Sequence, residues 1–201
     1  MFDVHEISEL QRAMVVRWHR QAVDNTFTGF LGLVCQQHSF NFLLWHEEDI
    51  ARSPVVSDAE IARVKRAIDR YNQQRNDGME KLDDWITARL AERGVAPSAE
   101  APQNTESPGA AIDRLSILAL RIYHLTEQTE RTDVSLQHIA RTNDKLALCR
   151  AQHADLCQGL SELLADLTAG RKRHRTYRQL KMYNDPALNP QMYNAARSKV
   201  A

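Results

Sequence analysis

Residues 112–125 read "IDRLSILALRIYHL" and decide the fold, because a helix through this stretch is apolar on nearly every side. A helix that is apolar all round is normally surrounded by the rest of the protein. We therefore expect this segment to be the central and most buried helix. Asp113, Arg121 and His124 interrupt it, and buried ionisable groups need polar partners. His124 has two interpretations, a satisfied core residue or a ligand.

The sequence on both sides of this stretch has the periodicity of amphipathic helices and contains no convincing alternating strand. Ser57 is a typical N-cap ahead of a long helix, and Gly94 and Gly170 are typical of helix ends. The pattern predicts an all-α, single-domain bundle of four to five long helices covering residues 1–201. The predicted helices run over about residues 5–24, 30–52, 58–93, 111–131 and 133–169, with one more short helix in the tail.

Two segments depart from this pattern. Residues 94–110, "GVAPSAEAPQNTESPGA", have the composition of a mobile linker inside the bundle. Residues 171–201 hold eight Lys or Arg and one acid, whereas residues 1–170 hold 18 Lys or Arg and 25 acids. We expect this basic tail to pack on the acidic bundle, or to attract phosphates.

Composition limits the class of protein. The chain has 201 residues, of which 43% are hydrophobic and 26% charged, as in a globular domain. Its longest apolar run is about four residues, too short for a membrane span. The N-terminal residues lack the pattern of a signal peptide, and three cysteines form no even disulfide framework, so we expect a cytoplasmic protein. A single basic cluster makes nucleic acid an unlikely partner.

The second predicted helix carries a polar arc in the stretch "NFLLWHEEDIAR", residues 41–52. Asn41, Glu48, Asp49 and Arg52 share one side of this helix. Glu48 and Arg52 are four residues apart, so a surface salt bridge would explain both. The alternative is that the arc faces a polar pocket of the bundle and supplies ligands, as in helical metal proteins.

The third predicted helix has an acidic face that includes Asp69, Asp77 and Glu80. A solvated surface explains this face, but its carboxylates would also suit Mg²⁺ or Mn²⁺. Arg75 lies on the apolar side of the same helix, where a cation needs a buried partner or must extend to water.

Histidine and acid pairs occur as His46-x-x-Asp49 and His124-x-x-Glu127. Di-iron carboxylate bundles use the reverse order, Glu-x-x-His, so a metal-dependent oxygenase is only a lesser alternative. Cys149, His153 and Cys157 span about 12 Å along one helix at about 1.5 Å per residue, which is too far for one zinc ion. We interpret this stripe as packing.

Four stretches carry a resemblance to a known family. They read "NFLLWHEEDIAR" (41–52), "IDRYNQQRNDGMEKLD" (68–83), "DRLSILALRIYHL" (113–125) and "KMYNDPALNP" (181–190). In order and spacing they resemble a bacterial family catalogued as domain of unknown function 4254, over about residues 5–195. The resemblance implies an all-helical cytoplasmic protein, often encoded near glycosyltransferases for surface polysaccharide, and no established reaction. The motif positions it marks are His46, Glu48, Asp49, Arg52, Asn72, Arg75, Asn76, Asp77, Asp113, Arg114, Tyr123, His124, Lys181, Tyr183, Asn184 and Asp185.

These residues combine carboxylates, amides, histidines and cations, an inventory that suits a phosphorylated ligand. Our first hypothesis is an enzyme acting on a phosphorylated small molecule such as a nucleotide or nucleotide-sugar, linked to surface-glycan biosynthesis. His46 and His124 would be general acid and base, and Glu48, Asp49 and Asp77 would bind Mg²⁺ or Mn²⁺. The substrate-binding residues would be Arg52, Asn72, Arg75, Asn76, Arg114, Tyr123, Lys181, Tyr183 and Asn184. The alternative hypothesis is a non-catalytic helical interaction or regulatory protein, and a homodimer is also compatible with the sequence.

Overall fold

The computed structural model describes residues 2–198 and is a bundle of α-helices. Five long helices, α1 to α5, are followed by a short α6, and a 3₁₀ turn at Met182–Asn184 lies between α5 and α6. No strand is present in the described part of the chain, so the predicted all-α bundle is confirmed. The helices are α1 Val4–Trp18, α2 Gly29–Ala51, α3 Asp58–Glu92, α4 Pro108–Thr129, α5 Leu136–Thr168 and α6 Pro190–Ser198.

Helix ends follow local chemistry. The side chains of Asp3, Ser57, Ser107 and Ser135 each accept a bond from a backbone N–H of the first turn, which removes one unpaired donor per helix. Gly94 and Gly170 have φ of +66° and +70° just after α3 and α5, a conformation in which a side chain would be strained.

The first helix is shorter than predicted, since α1 ends at Trp18 rather than near residue 24. Asp24 explains the difference. The Trp18 indole donates to the Asp24 backbone carbonyl at 3.2 Å, and Arg17 forms an ion pair with the Asp24 carboxylate. These contacts bring the chain back to the end of α1 at Asp24.

The most buried helix is α4, which packs against α1, α2, α3 and α5. Ile112 and Leu115 are fully buried, and Leu120 is nearly so. The central position expected for "IDRLSILALRIYHL" is confirmed. Burying such side chains stabilises the fold by about 1.5–3 kcal/mol each.

The basic tail runs along the acidic face of α3. Arg178 forms ion pairs with Glu80 at 3.0 Å and Asp84 at 2.8 Å, and the amide of Asn184 donates to Gln73 at 2.8 Å. The segment before α4 also makes contacts, because Ala101 is buried and the backbone N–H of Arg173 donates to the Pro102 carbonyl at 3.0 Å. The mobility expected for residues 94–110 stays a prediction. Within the described residues, none of the helices is long and apolar enough to cross a membrane.

Candidate functional site

A buried polar network joins α2, α3 and α4 around Asp113. Its Oδ1 accepts from Gln37 Nε2 at 2.6 Å, Asn41 Nδ2 at 2.9 Å and Arg75 Nε at 2.7 Å. Its Oδ2 accepts from Arg75 Nη2 at 2.5 Å. Four donors, two of them charged, offset the cost of burying this carboxylate. Arg75 and Asp113, each of which needed a polar partner, are therefore partners of each other.

A second layer of the network surrounds Ser116. Its hydroxyl oxygen accepts from Asn41 Nδ2 at 2.9 Å and lies 2.7 Å from His38 Nδ1. His38 is fully buried, and burial lowers its pKa from 6.5 to about 3. The imidazole is consequently neutral at pH 7, as a core histidine should be.

A groove of about 320 Å³ opens beside this network, and we call it the central groove. Its volume lies at the small end of the range of ligand sites, about 300–1,000 Å³. Helices α2, α3 and α4 all contribute to it. Its lining residues are Asn41, Leu44, Trp45, Glu48, Asp49, Arg52, Arg75, Ile117 and Leu120.

The two cations of the central groove are held differently. Arg75 presents its fork to the buried Asp113 through Nε and Nη2, so its position is fixed and Nη1 is the nitrogen left over. Arg52 instead bonds the carbonyl of Glu48 at 2.8 Å and pairs with the Glu48 carboxylate on the outer turn of α2. The groove therefore has one rigid and one exposed guanidinium.

Three histidines meet on the far side of Trp45, one of the residues that line this groove. His19 follows α1, His46 lies on α2 and His124 lies on α4. One ring nitrogen of each lies within 4.8 Å of those of the other two. The pKa of His46 is lowered by burial and by the neighbouring His19 and His124.

Aromatic rings fix the orientation of these imidazoles. His19 stacks on Tyr123 with ring centroids 4.2 Å apart, and His124 stacks on Trp45 at 4.9 Å. Trp45 also lines the central groove, so its indole forms a wall shared by the histidine cluster and the groove. Burial raises the pKa of Tyr123.

The sequence-derived site residues are thus only partly brought together. Glu48, Asp49, Arg52 and Arg75 line the central groove, and His46 and His124 belong to the histidine cluster beside Trp45. Tyr123 stacks on His19 and lines a different groove, between α1 and α4. His19 was not predicted, because nothing in its neighbourhood in the sequence distinguishes it from an ordinary polar residue after a helix.

The other predicted residues lie elsewhere. Arg114 points towards α5 and pairs with Glu106 at 2.6 Å. On α3, Asn72 accepts from Lys181 through its carbonyl at 3.4 Å, and Asn76 is half-buried. Asn184 contacts α3 through the tail, and Tyr183 is exposed.

The carboxylates assigned to Mg²⁺ or Mn²⁺ do not form one cluster. Asp77 is exposed and accepts from Gln73 at 2.7 Å. In residues 2–198, the one group of three or more His, Cys, Asp or Glu with ligand atoms close enough for a metal is the histidine cluster. Glu48, Asp49 and Asp77 are not brought within that distance of one another.

Comparison with known protein families gives a match. The model of a family described as "Protein of unknown function (DUF4254)" matches residues 31–176, well over half of the chain. This confirms the resemblance inferred from the first three stretches, whereas "KMYNDPALNP" lies beyond the matched residues. Neither a curated protein nor a solved structure matches the chain.

Proposed function

From the premise that this chain belongs to the DUF4254 family, a family without an assigned function, we propose that it is an enzyme acting on a small phosphorylated molecule in the central groove. The observation that supports the proposal best is the arrangement of Arg75. A guanidinium held in place by a buried carboxylate is a preorganised anion holder, because little side-chain freedom is lost when a ligand binds.

The remaining groove residues complement this cation. Arg52 is exposed and can move from Glu48 to a second phosphate oxygen, while Leu44, Ile117 and Trp45 offer an apolar surface to the rest of the ligand. Acidic side chains at the mouth, Glu48 and Asp49, are suited to bind hydroxyl groups such as those of a sugar. A sugar phosphate fits this combination of charge and size.

The reactive groups of the enzyme would come from the shared edge of the groove. Asp49 lines the groove and lies 3.9 Å from His46, so a ligand beside Asp49 is close to the histidines. The cytoplasmic location and the link with surface-glycan biosynthesis, both implied by family resemblance, are part of the same proposal.

The test of binding is isothermal titration of the full chain with a hexose 1-phosphate, a nucleoside monophosphate and inorganic phosphate. Each phosphorylated probe is compared with its phosphate-free counterpart. We expect micromolar to millimolar binding of at least one phosphorylated probe and none of the counterpart. Arg52→Ala should weaken it about 10- to 150-fold, since one hydrogen bond to a charged group contributes about 1.5–3 kcal/mol.

Arg66→Ala is the matched control, because Arg66 is exposed on α3 and does not line the groove. Turnover is then followed by ³¹P NMR of the bound probe. Binding that is unchanged in Arg52→Ala, or equal for phosphorylated and phosphate-free probes, would contradict the proposal.

A further inference from the structure

The three histidines of the cluster come from three separate elements and face one another. The ring centroid of His19 lies 5.1 Å from that of His46 and 5.1 Å from that of His124. The centroids of His46 and His124 are 5.9 Å apart. This arrangement brings three potential ligand nitrogens within 4.8 Å of one another. One ring comes from the end of α1, one from α2 and one from α4.

The Nδ1 atoms of the rings face acceptors outside the cluster. His19 Nδ1 lies 2.7 Å from the Val15 carbonyl, which can only accept, so this nitrogen carries the proton. His124 Nδ1 lies 2.9 Å from Glu127 Oε2, and His46 Nδ1 lies 3.9 Å from Asp49 Oδ2. In the neutral rings of His19 and His124, held in this way, the lone pair belongs to Nε2. The distance from His46 Nδ1 to Asp49 is too long for a hydrogen bond, so it does not fix the tautomer of His46.

The Nε2 atoms of His19 and His124 are buried and have no hydrogen-bond partner among the described residues. An unpaired buried acceptor costs about 1–3 kcal/mol. Two such nitrogens on neighbouring rings of one cluster are available to bind an electrophile.

We propose that His19, His46 and His124 bind one divalent transition-metal ion of the Zn²⁺, Co²⁺ or Ni²⁺ class. Imidazole nitrogens favour these ions, whereas Mg²⁺ and Mn²⁺ favour oxygen. Ligands about 2.0–2.1 Å from a tetrahedral ion are about 3.3 Å apart, so the ligand nitrogens, now within 4.8 Å of one another, need to approach by up to about 1.5 Å. The proposed metal ligands are thus histidines, and the carboxylates beside them are Asp49 and Glu127.

The surroundings match those of a metal centre. Glu127 and the Val15 carbonyl orient two ligands through Nδ1, as carboxylates and carbonyls commonly do for metal-bound histidine. Trp45 and Tyr123 hold two ring planes in an apolar frame. His46 has a side chain 38% exposed, so ions and solvent reach the cluster from its side.

Three protein ligands leave a coordination position for water or a ligand oxygen. This position would lie close to the central groove, because Trp45 lines the groove and Asp49 connects it with His46. The metal site goes beyond the proposed function, because His46 and His124 become metal ligands instead of the general acid and base. Metal binding does not depend on the phosphorylated substrate and can be tested without it.

The test uses the full chain, freed of metal with a chelator and titrated with CoCl₂. We expect one Co²⁺ per chain, visible absorption bands of four- or five-coordinate Co²⁺, and displacement by Zn²⁺. His19→Ala should weaken binding at least 100-fold. His138→Ala is the matched control, because His138 is exposed on α5 and outside the cluster.

Folding of each variant is checked without metal by circular dichroism and thermal unfolding. If His19→Ala does not fold, His46→Ala serves in its place, since His46 is the accessible member of the cluster. Glu127→Gln should keep the site and weaken it about 10–100-fold through the orientation of His124.

Either of two results would overturn the site: no stoichiometric Co²⁺ or Zn²⁺ binding by the wild type, or equal binding by folded His19→Ala or, in its place, His46→Ala. The two proposals fail separately. Co²⁺ binding unaffected by Arg52→Ala, together with no binding of any phosphorylated probe, would retain the metal site and reject the proposed substrate class.

Discussion

Replacing Arg75 with methionine keeps an unbranched apolar stem and removes the charge that faces Asp113. Two of the four hydrogen bonds to the Asp113 carboxylate are lost, both of them donated by a cation. Charge-assisted bonds contribute about 1.5–3 kcal/mol each, and breaking a buried ion pair costs about 3–5 kcal/mol. We expect Arg75→Met to lower the free energy of unfolding by about 4 kcal/mol.

Substitution of the partner, Asp113→Asn, should lower the free energy of unfolding by less, about 2 kcal/mol. The reason is the different exposure of the two side chains. The Arg75 side chain is 24% exposed and can extend to water when its partner is neutral. Asp113 is only 4% exposed and cannot. The neutral amide also keeps an oxygen for Gln37 and Asn41.

The measurement is urea unfolding at pH 7, followed by circular dichroism, of the two single variants, the double variant and Arg66→Met. Arg66 is an exposed cation on the same helix, so its replacement should change the free energy of unfolding by no more than about 0.5 kcal/mol. A loss below about 1 kcal/mol for Arg75→Met, or a larger loss for Asp113→Asn, would refute the idea that a buried carboxylate anchors Arg75.

Two further predictions concern close packing and pH. A Cβ at Gly109 would lie 2.5 Å from the Met79 carbonyl oxygen, so Gly109→Ala should destabilise the protein by about 1–3 kcal/mol in thermal unfolding. A Cβ at Gly159 would meet no atom within 4 Å, so Gly159→Ala should stabilise the helix by about 0.5–1 kcal/mol. Equal effects of the two substitutions would contradict close packing at Gly109. Because the folded pKa of His38 is about 3 against 6.5 normally, the unfolded chain binds an extra proton between these values, and stability falls as pH falls through this window. Between pH 7 and pH 5, His38 should lower the free energy of unfolding by about 2 kcal/mol. In urea unfolding at the two pH values, the wild type should therefore lose about 2 kcal/mol more than His38→Asn.

The limits of most helices were predictable because they depend on residues next to the helix ends. Ser57 as an N-cap and Gly94 and Gly170 as stops are read directly from neighbouring residues, and the structure ends α3 and α5 beside these glycines. The end of α1 was not, since it depends on Asp24, six residues beyond Trp18. Such a return contact leaves no periodic signal.

The need of Arg75 and Asp113 for polar partners was also predictable, because both lie among apolar residues of their helices. Arg75 and Asp113 each stood out as an ion in an apolar setting, and the need for compensation pairs them across 38 residues of sequence. Arg114 was predicted from the family resemblance. It follows Asp113 in the sequence but points elsewhere, because one helical step turns the side chain by about 100°.

The same rotation explains how residues 45–49 serve two neighbouring features. Trp45, Glu48 and Asp49 line the central groove, while His46 turns towards His19 and His124. Glu47 turns to the other side and lies 3.8 Å from Arg63 of α3. The four ionisable residues 46–49 therefore do not form one site. The histidine cluster also needs His19, which lies at the end of α1. The position of His19 beside the other two histidines depends on how α1 packs against α2 and α4, and the sequence around His19 carries no sign of it.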